Sequence, residues 1–199
     1  MARLEGKNIL FIIPKDYYDE AQLEPLRKIF TDEGAETRVA SGKFKEAVGM
    51  KNDRTMPDML VVDAIEGITG DSYVTGGKGT RQVKGVFHGT VLIGGKGARK
   101  YLWKEKLVRL LIADRYRSGM VLGAIGTAVP CLGEADLLSN LEVASAQDPK
   151  TIAALEGAAA IPTEDPTTVN DRLITAQGAE AIEEFAEAFI EAVSKTKAK

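Results

Sequence analysis

The sequence predicts a three-layer α/β sandwich with a mostly parallel central sheet. Three observations support this fold class. Apolar runs without alternation occur at residues 9–13, 90–93 and 120–125, which is typical of strands buried on both faces of a parallel sheet. Segments with helical spacing of apolar residues follow these runs, and glycines stand between strand and helix. Such alternation favours parallel strands joined by crossover helices.

The first half of the chain begins with a strand at residues 9–13. A helix should follow and end at Gly34, with Pro25 near its start or bending it, because apolar residues recur at helical spacing at Leu23, Leu26, Ile29 and Phe30. Residues 36–40 are predicted as a second strand, and residues 59–62 are a strand candidate. The Gly- and Thr-rich region 67–89 is consistent with a hairpin that leaves the sheet.

The second half repeats the pattern. Residues 90–93 and 120–125 are predicted strands, each followed by a glycine turn and helical segments, the later one at residues 128–138. Residues 172–175 form a short late strand. The last helix has the clearest apolar stripe, at Ile182, Phe185, Ala186, Phe189, Ile190 and Val193.

Composition limits the possible functions. The chain has 199 residues, 44% of them hydrophobic and 28% charged, which fits one globular domain over residues 1–199. The net charge of −3 gives no basic surface for nucleic acid or an anionic membrane, so neither partner is expected. The start of the chain lacks the pattern of a signal peptide, and no run is long enough to span a bilayer, so we expect a cytoplasmic protein.

The single cysteine and single histidine exclude much familiar chemistry. They allow neither a disulfide nor a thiolate zinc site, so no metal and no cofactor are expected. His88 lies in a polar turn and is predicted to be a surface residue. Cys131 lies in an apolar helical segment and is predicted to be a core residue.

Two glycine-rich hexapeptides, GGKGTR at residues 76–81 and GGKGAR at residues 94–99, suggest a phosphate-binding loop. Both depart from a Walker motif, because glycine follows the lysine where serine or threonine is needed. The second also lacks the last small residue of a dinucleotide fingerprint, since Lys100 stands there. We therefore interpret them as glycine turns with solvated basic residues. In a parallel sheet, ligands sit beyond the carboxyl ends of the strands, which singles out residues 14–20, 94–97 and 126–128.

Four motifs in register carry a family resemblance: GGKGARKYL at residues 94–102, VLGAIGTA at 121–128, GEADLL at 133–138 and LITAQG at 173–178. Together they resemble the ThiJ/PfpI superfamily, which includes PfpI-type peptidases and the parkinsonism-associated deglycase. The resemblance covers nearly the whole chain and is weakest between residues 41 and 89. It implies a flavodoxin-like α/β fold of the class I glutamine amidotransferase type and, commonly, a homo-oligomer.

The resemblance also implies where a catalytic site would lie. In the family, a nucleophilic cysteine ends a strand at a strained elbow and is often followed by histidine; this chain has Gly126 and Thr127 there. Glycine avoids most of the strain of such an elbow. The backbone N–H groups of Gly95 and Thr127 would match the family's oxyanion hole. The family's pocket carboxylate would be Glu20, or Asp19 one residue earlier, and either could instead cap the helix.

The sequence therefore predicts a family member without the cysteine chemistry, whose role is small-molecule binding or is stress-related or regulatory. The candidate binding residues are Glu20, Asp19, Gly95, Gly126 and Thr127. Two alternatives remain open. One is a hydrolase, peptidase or deglycase that uses Glu20, Asp19 or Cys131 instead. The other is a chaperone-like interaction protein with a vestigial pocket.

Overall fold

The computed structural model describes residues 2–65, 68–76, 79–84 and 87–197. In chain order the strands are β1 (Asn8–Ile13), β2 (Glu36–Ser41), β3 (Ala47–Val48), β4 (Arg54–Thr55), β5 (Met59–Leu60), β6 (Ile68–Gly76), β7 (Gly79–Lys84), β8 (Gly89–Leu92), β9 (Val121–Ile125), β10 (Glu142–Ala144), β11 (Ile161–Thr163), β12 (Thr167–Asn170) and β13 (Leu173–Ala176). The helices are α1 (Glu20–Asp32), α2 (Val61–Ile65), α3 (Ala98–Tyr101), α4 (Lys106–Arg117), α5 (Pro130–Glu134), α6 (Pro149–Gly157) and α7 (Ile182–Ser194). Two 3-10 turns lie at Gly126–Ala128 and Ala179–Ala181.

A seven-stranded sheet runs through the centre of the fold in the order β12-β13-β9-β8-β1-β2-β5. Every neighbouring pair in it is parallel except β12 with β13. Helices cover both faces, which confirms the predicted three-layer α/β sandwich with a mostly parallel sheet. The order also brings the carboxyl ends of β1, β8, β9 and β13 together at one edge.

Two apolar cores fill the layers on either side of the sheet. Side chains of β1 alternate between them, with Phe11 in one and Leu10 and Ile12 in the other. The first core lies under α1 and α7, where Phe30 and Phe189 stack with ring centroids 5.3 Å apart. The second core lies under the helices of the other face. Burial on both faces explains why the strands are continuous apolar runs.

The long helices follow from local sequence signals. Asp19 caps α1 by accepting the N–H of Ala21 on its side chain. The six residues of the predicted apolar stripe of α7 are all buried, which confirms that prediction. None of the helices in the described ranges has the length and apolarity needed to cross a bilayer.

Two predicted elements are wrong in their extent, and one of the two positions proposed for Pro25 is wrong. Residues 59–62 split into the two-residue strand β5 and the start of α2 at Val61, because a short apolar run fits either state. The helix expected over residues 128–138 is reduced to a 3-10 turn and α5. Of the two positions left open for Pro25, the one near the helix start is wrong, because the Asp19 cap begins α1 at Glu20 and Pro25 lies inside the helix.

The prediction for His88 is also wrong, because only 3% of this residue is exposed. It directly precedes β8, which lies between β1 and β9, so neighbouring strands cover it. Its Nδ1 accepts the backbone N–H of Asn8 at 3.0 Å. By contrast, the core prediction for Cys131 is confirmed, since its side chain is buried among apolar residues.

The region between α2 and β8 contains the predicted hairpin. Strands β6 and β7 pair in antiparallel fashion outside the central sheet. Part of the first glycine-rich hexapeptide, at residues 77–78, lies outside the described residues. The second hexapeptide connects β8 to α3 at the carboxyl edge of the sheet.

Candidate functional site

A cavity of about 620 Å³ opens at the carboxyl edge of the central sheet. The loops that follow β1, β8, β9 and β13 supply most of its wall, as the ligand rule for parallel sheets predicts. The remaining wall comes from Met50 and from the loop after β10. The lining residues are Asp19, Gln22, Met50, Gly95, Lys96, Arg99, Gly126, Thr127, Ala146, Gln147, Gln177, Gly178, Ala179 and Glu180.

Gly126 forms the sharp turn at the end of β9. Its φ of +59° lies in the left-handed region, where a residue with a Cβ is strained. A Cβ at this position would lie 3.2 Å from the carbonyl oxygen of Gln177 and 3.3 Å from Nε2 of Gln22. Gly126 therefore leaves the cavity floor free of a side chain at this point. A Cβ added there would press on Gln177 and Gln22.

Thr127 and Gly95 are joined by two hydrogen bonds across the cavity floor. The backbone N–H of Gly95 donates to the Thr127 hydroxyl at 3.0 Å, and the same hydroxyl donates to the Gly95 carbonyl at 2.8 Å. Sequence reasoning expected the Gly95 N–H to point at a ligand. Instead, the Thr127 side chain already satisfies it, because the hydroxyl reaches the neighbouring strand loop.

Gly95 itself is required by a close approach of two backbones. Its φ is +120°, and a Cβ would lie 2.4 Å from the carbonyl oxygen of Tyr17 and 2.7 Å from the amide nitrogen of Asp19. No side chain fits at that distance. The loops after β1 and β8 are thus pressed together beside the cavity.

Gln22 links the same two loops from the first turns of α1. It is 3% exposed, and its Oε1 accepts the N–H of Gly94 at 2.8 Å. Its Nε2 donates to Oδ2 of Asp19 at 3.1 Å. Sequence analysis missed this residue; its position three residues after the Asp19 cap, on the same side of the helix, is the signal that could have found it.

Of the two carboxylates proposed from the sequence, Asp19 is the one that lines the cavity. Its Oδ1 accepts the N–H of Ala21, and its backbone N–H donates to Gly94. Burial raises the pKa of Asp19 above the usual aspartate value, although the Ala21 hydrogen bond opposes the rise and the nearby Glu20 charge adds to it. This carboxylate serves as both a helix cap and part of the cavity wall.

Glu20, the first choice for a pocket carboxylate from the sequence, does not line the cavity. It is 4% exposed and turns toward the loop before β4, where its Oε1 accepts the N–H of Lys51 at 2.6 Å. A Cβ on Gly49 would overlap that oxygen at 2.0 Å. The reason is geometric: as the first residue of α1, Glu20 projects away from the Asp19 side of the turn. Its contact holds the loop that carries Met50.

Charged side chains line the cavity in both signs. Arg99 is held by an ion pair with Asp148 at 3.0 Å and lies over the Trp103 ring, 5.2 Å from its centroid. The Trp103 ring nitrogen in turn donates to the Thr127 carbonyl at 2.6 Å. Lys96, on the β8 loop, is exposed, and so is Glu180 after β13.

The cavity lacks the groups of a thiol or histidine site. Within the described part of the chain, neither Cys131 nor His88 lines it. Burial raises the pKa of the Cys131 thiol far above its usual range, so this thiol stays protonated. No group of three or more His, Cys, Asp or Glu side chains suited to a metal ion occurs among the described residues. The floor and walls offer hydrogen bonds and charges to a ligand.

Known proteins resemble this chain in sequence and in architecture. The model of the DJ-1/PfpI family matches residues 7–192. An uncharacterized protein of Methanocaldococcus jannaschii is 26% identical over 190 residues, which cover 96% of this chain and 83% of that protein.

Solved structures share the fold. A ThiJ/PfpI domain protein from Brachyspira murdochii has a TM-score of 0.80 at 21% identity, covering 96% of this chain and 100% of that one. Drosophila melanogaster DJ-1beta has a TM-score of 0.75 at 18% identity, covering 96% and 91%. At these identities the structures establish the fold, and the family model establishes membership over most of the sequence: this chain belongs to the DJ-1/PfpI family.

Proposed function

We propose that this protein binds a small molecule in the cavity at Gly126 and does not carry out cysteine-dependent hydrolysis. In this proposal, Gly126 stands where the ThiJ/PfpI resemblance puts the catalytic cysteine. The observation that carries the proposal is the pair of hydrogen bonds between Thr127 and Gly95 beside that glycine. They occupy the Gly95 N–H, one of the two N–H groups that the resemblance assigns to an oxyanion hole.

The lack of a nucleophile supports the same conclusion. Gly126 has no side chain, and the nearest hydroxyl, that of Thr127, already donates to one carbonyl and accepts one N–H. A hydroxyl becomes a nucleophile only when an adjacent base removes its proton. The only histidine of the sequence, His88, is buried before the amino end of β8, whereas the cavity lies at the carboxyl edge.

The cavity nevertheless keeps features of a binding site. Its volume of about 620 Å³ lies within the range typical of small-molecule sites. Gln22 and Asp19 fix the loops around it through buried hydrogen bonds. Loops held in place in this way lower the entropic cost of binding a small ligand.

Thermal unfolding across a panel of metabolites tests the proposal. A true ligand at 100 times its dissociation constant stabilises the protein by about 2.7 kcal/mol. Ala146 lines the cavity, whereas Ala153 is exposed on α6. We expect Ala146→Phe to abolish the stabilisation and the matched control Ala153→Phe to preserve it. The proposal fails if no compound stabilises the wild type, or if both variants respond equally.

One observation favours a second candidate, an enzyme that uses Asp19 as a general acid or base. Burial raises the pKa of this cavity-lining carboxyl, and a raised pKa suits proton transfer near neutral pH. Asp19→Asn would abolish such turnover and leave ligand binding measurable. Turnover that persists in Asp19→Asn removes this candidate. Glu20 and Cys131 supply no comparable group, because both are buried outside the cavity wall.

A further inference from the structure

We infer that the cavity selects a zwitterionic small molecule, one whose carboxylate pairs with Lys96 and whose ammonium group pairs with Glu180. This inference rests on the proposed function and specifies the ligand class of the same cavity. The argument depends on which of the charged groups in the wall are already paired within the protein.

Two of the four charged residues in the wall have partners. Arg99 pairs with Asp148 and stacks on Trp103. Asp19 accepts hydrogen bonds from Ala21 and Gln22. The charge of Arg99 is therefore paired within the protein, and each carboxylate oxygen of Asp19 already has a hydrogen-bond donor before any ligand enters.

The other two, Lys96 and Glu180, make no side-chain hydrogen bond or ion pair with any residue that the structure describes. Only the backbone N–H of Lys96 is engaged, with Sδ of Met50. The carboxylate of Glu180 lies back over Gly178, another wall residue: a Cβ built at Gly178 would be 2.7 Å from its nearer oxygen. The cavity thus offers one unpaired cation and one unpaired anion.

Strand order sets these two charges on opposite sides of Gly126. Lys96 follows β8 and Glu180 follows β13, and β9, which ends before Gly126, lies between them. Two strand spacings separate the loops by roughly 10 Å. A ligand that satisfies both charges must therefore cross the open floor at Gly126, with its own opposite charges several bonds apart.

A ligand with a single charge gains only one of the two charge pairs. A simple anion would pair with Lys96 and leave Glu180 to water, and a simple cation would pair with Glu180 and leave Lys96 to water. The amide oxygens of Gln147 and Gln177 add acceptors on the Glu180 side, because the amide nitrogens of both already donate to backbone carbonyls. That side is thus suited to an ammonium group with several N–H donors.

Calorimetric or NMR titration with matched probes tests the inference: 6-aminohexanoate carries both charges, hexanoate and hexylammonium carry one each, and 1,6-hexanediol carries none. We expect wild type to bind 6-aminohexanoate about two- to fivefold more tightly than either singly charged probe, and more tightly still than the diol, as expected for pairs of exposed charged groups. Lys96→Met and Glu180→Gln should each remove that preference. Lys104→Met and Glu183→Gln, exposed positions outside the cavity, should keep it.

The outcomes separate this inference from the proposed function. If 6-aminohexanoate binds no better than the singly charged probes, or if the control variants lose the preference equally, the zwitterion inference is overturned. The proposed function still stands in that case if a metabolite stabilises the wild type and Ala146→Phe removes the effect. If no compound of either set binds, both fail.

Discussion

The hydroxyl of Thr127 hydrogen-bonds both backbone polar groups of Gly95, donating to its carbonyl and accepting from its N–H. Gly95 is buried, so water cannot replace these partners freely. The contact joins the loop after β8 to the turn after β9 at the floor of the cavity. It gives the site its rigidity and occupies a donor that a ligand oxygen would otherwise use.

Replacing Thr127 by valine tests this contact. The variant keeps the side-chain shape but leaves the buried N–H of Gly95 unsatisfied, whereas the Gly95 carbonyl still accepts the Ala98 N–H at 3.1 Å. The free energy of unfolding should therefore fall by about 1 to 3 kcal/mol. Thr127→Ser keeps the hydroxyl and should lose less. Urea unfolding of the three proteins measures the difference. Equal stability of the valine variant and the wild type would contradict the assignment.

Gly95→Ala should be severely destabilising, because its Cβ would overlap the carbonyl oxygen of Tyr17 at 2.4 Å. Gly119 is the matched control: its φ of +83° is also positive, but nothing lies within 4 Å of a Cβ there. Gly119→Ala therefore carries only the backbone cost, about 1 to 2 kcal/mol. Soluble yield and urea midpoints compare the two. Equal effects would mean that the loops after β1 and β8 are not pressed together.

Gly126→Cys should place an accessible thiol at the cavity floor. The left-handed φ at this position lowers stability by about 1 to 2 kcal/mol, so the variant should still fold. Native wild type should react slowly with a thiol reagent, because its single cysteine, Cys131, is buried and protonated. The variant should show one fast-reacting equivalent. A folded variant without a fast-reacting thiol would contradict the placement of Gly126.

Buried His88 predicts a pH dependence of stability. Burial, with a smaller contribution from the charge of Lys7, lowers the pKa of His88 below its usual 6.5. Below pH 6.5 the unfolded chain therefore binds a proton at His88 more readily than the folded protein does. The free energy of unfolding, which is at its full value above pH 6.5, falls as the pH drops toward the lower pKa of His88 in the folded state.

The comparison with His88→Gln isolates this effect. Between pH 7.5 and 5.5, the free energy of unfolding should fall more in the wild type than in the variant, by at most about 1.4 kcal/mol, the limit for one proton over the pH unit below 6.5. The glutamine amide oxygen can still accept the Asn8 N–H that Nδ1 accepts in the wild type. Parallel pH profiles of the two proteins would show that His88 does not contribute.

The sequence predicted the parts of this fold that depend on long apolar patterns. The buried strands around Phe11 and Leu122 and the stripe of α7 follow from periodicity alone. The edge strand β5 and the 3-10 form of the predicted turn at Gly126 were less accessible, because two- and three-residue elements leave no period to read. His88 was misplaced for a related reason: its burial comes from strand order, which the local sequence does not contain.

Within the site, the sequence identified the loops but not their contacts. Asp19 and Glu20 are adjacent in sequence, and only the start of α1 decides which one lines the cavity. The role of Gln22 and the hydrogen bonds of Thr127 to Gly95 depend on the distance between neighbouring strand loops. Such distances follow from the packed sheet and not from residue spacing.

The central claim is that the cavity at Gly126 binds a ligand without cysteine chemistry. The most direct test is a hydrolase and deglycase assay of the wild type beside Gly126→Cys, with both proteins shown to be equally folded and ligand-induced stabilisation measured on the same samples. We predict no turnover by the wild type, together with stabilisation by a small molecule. Turnover by the wild type at a rate unchanged or lowered by Gly126→Cys would contradict the claim.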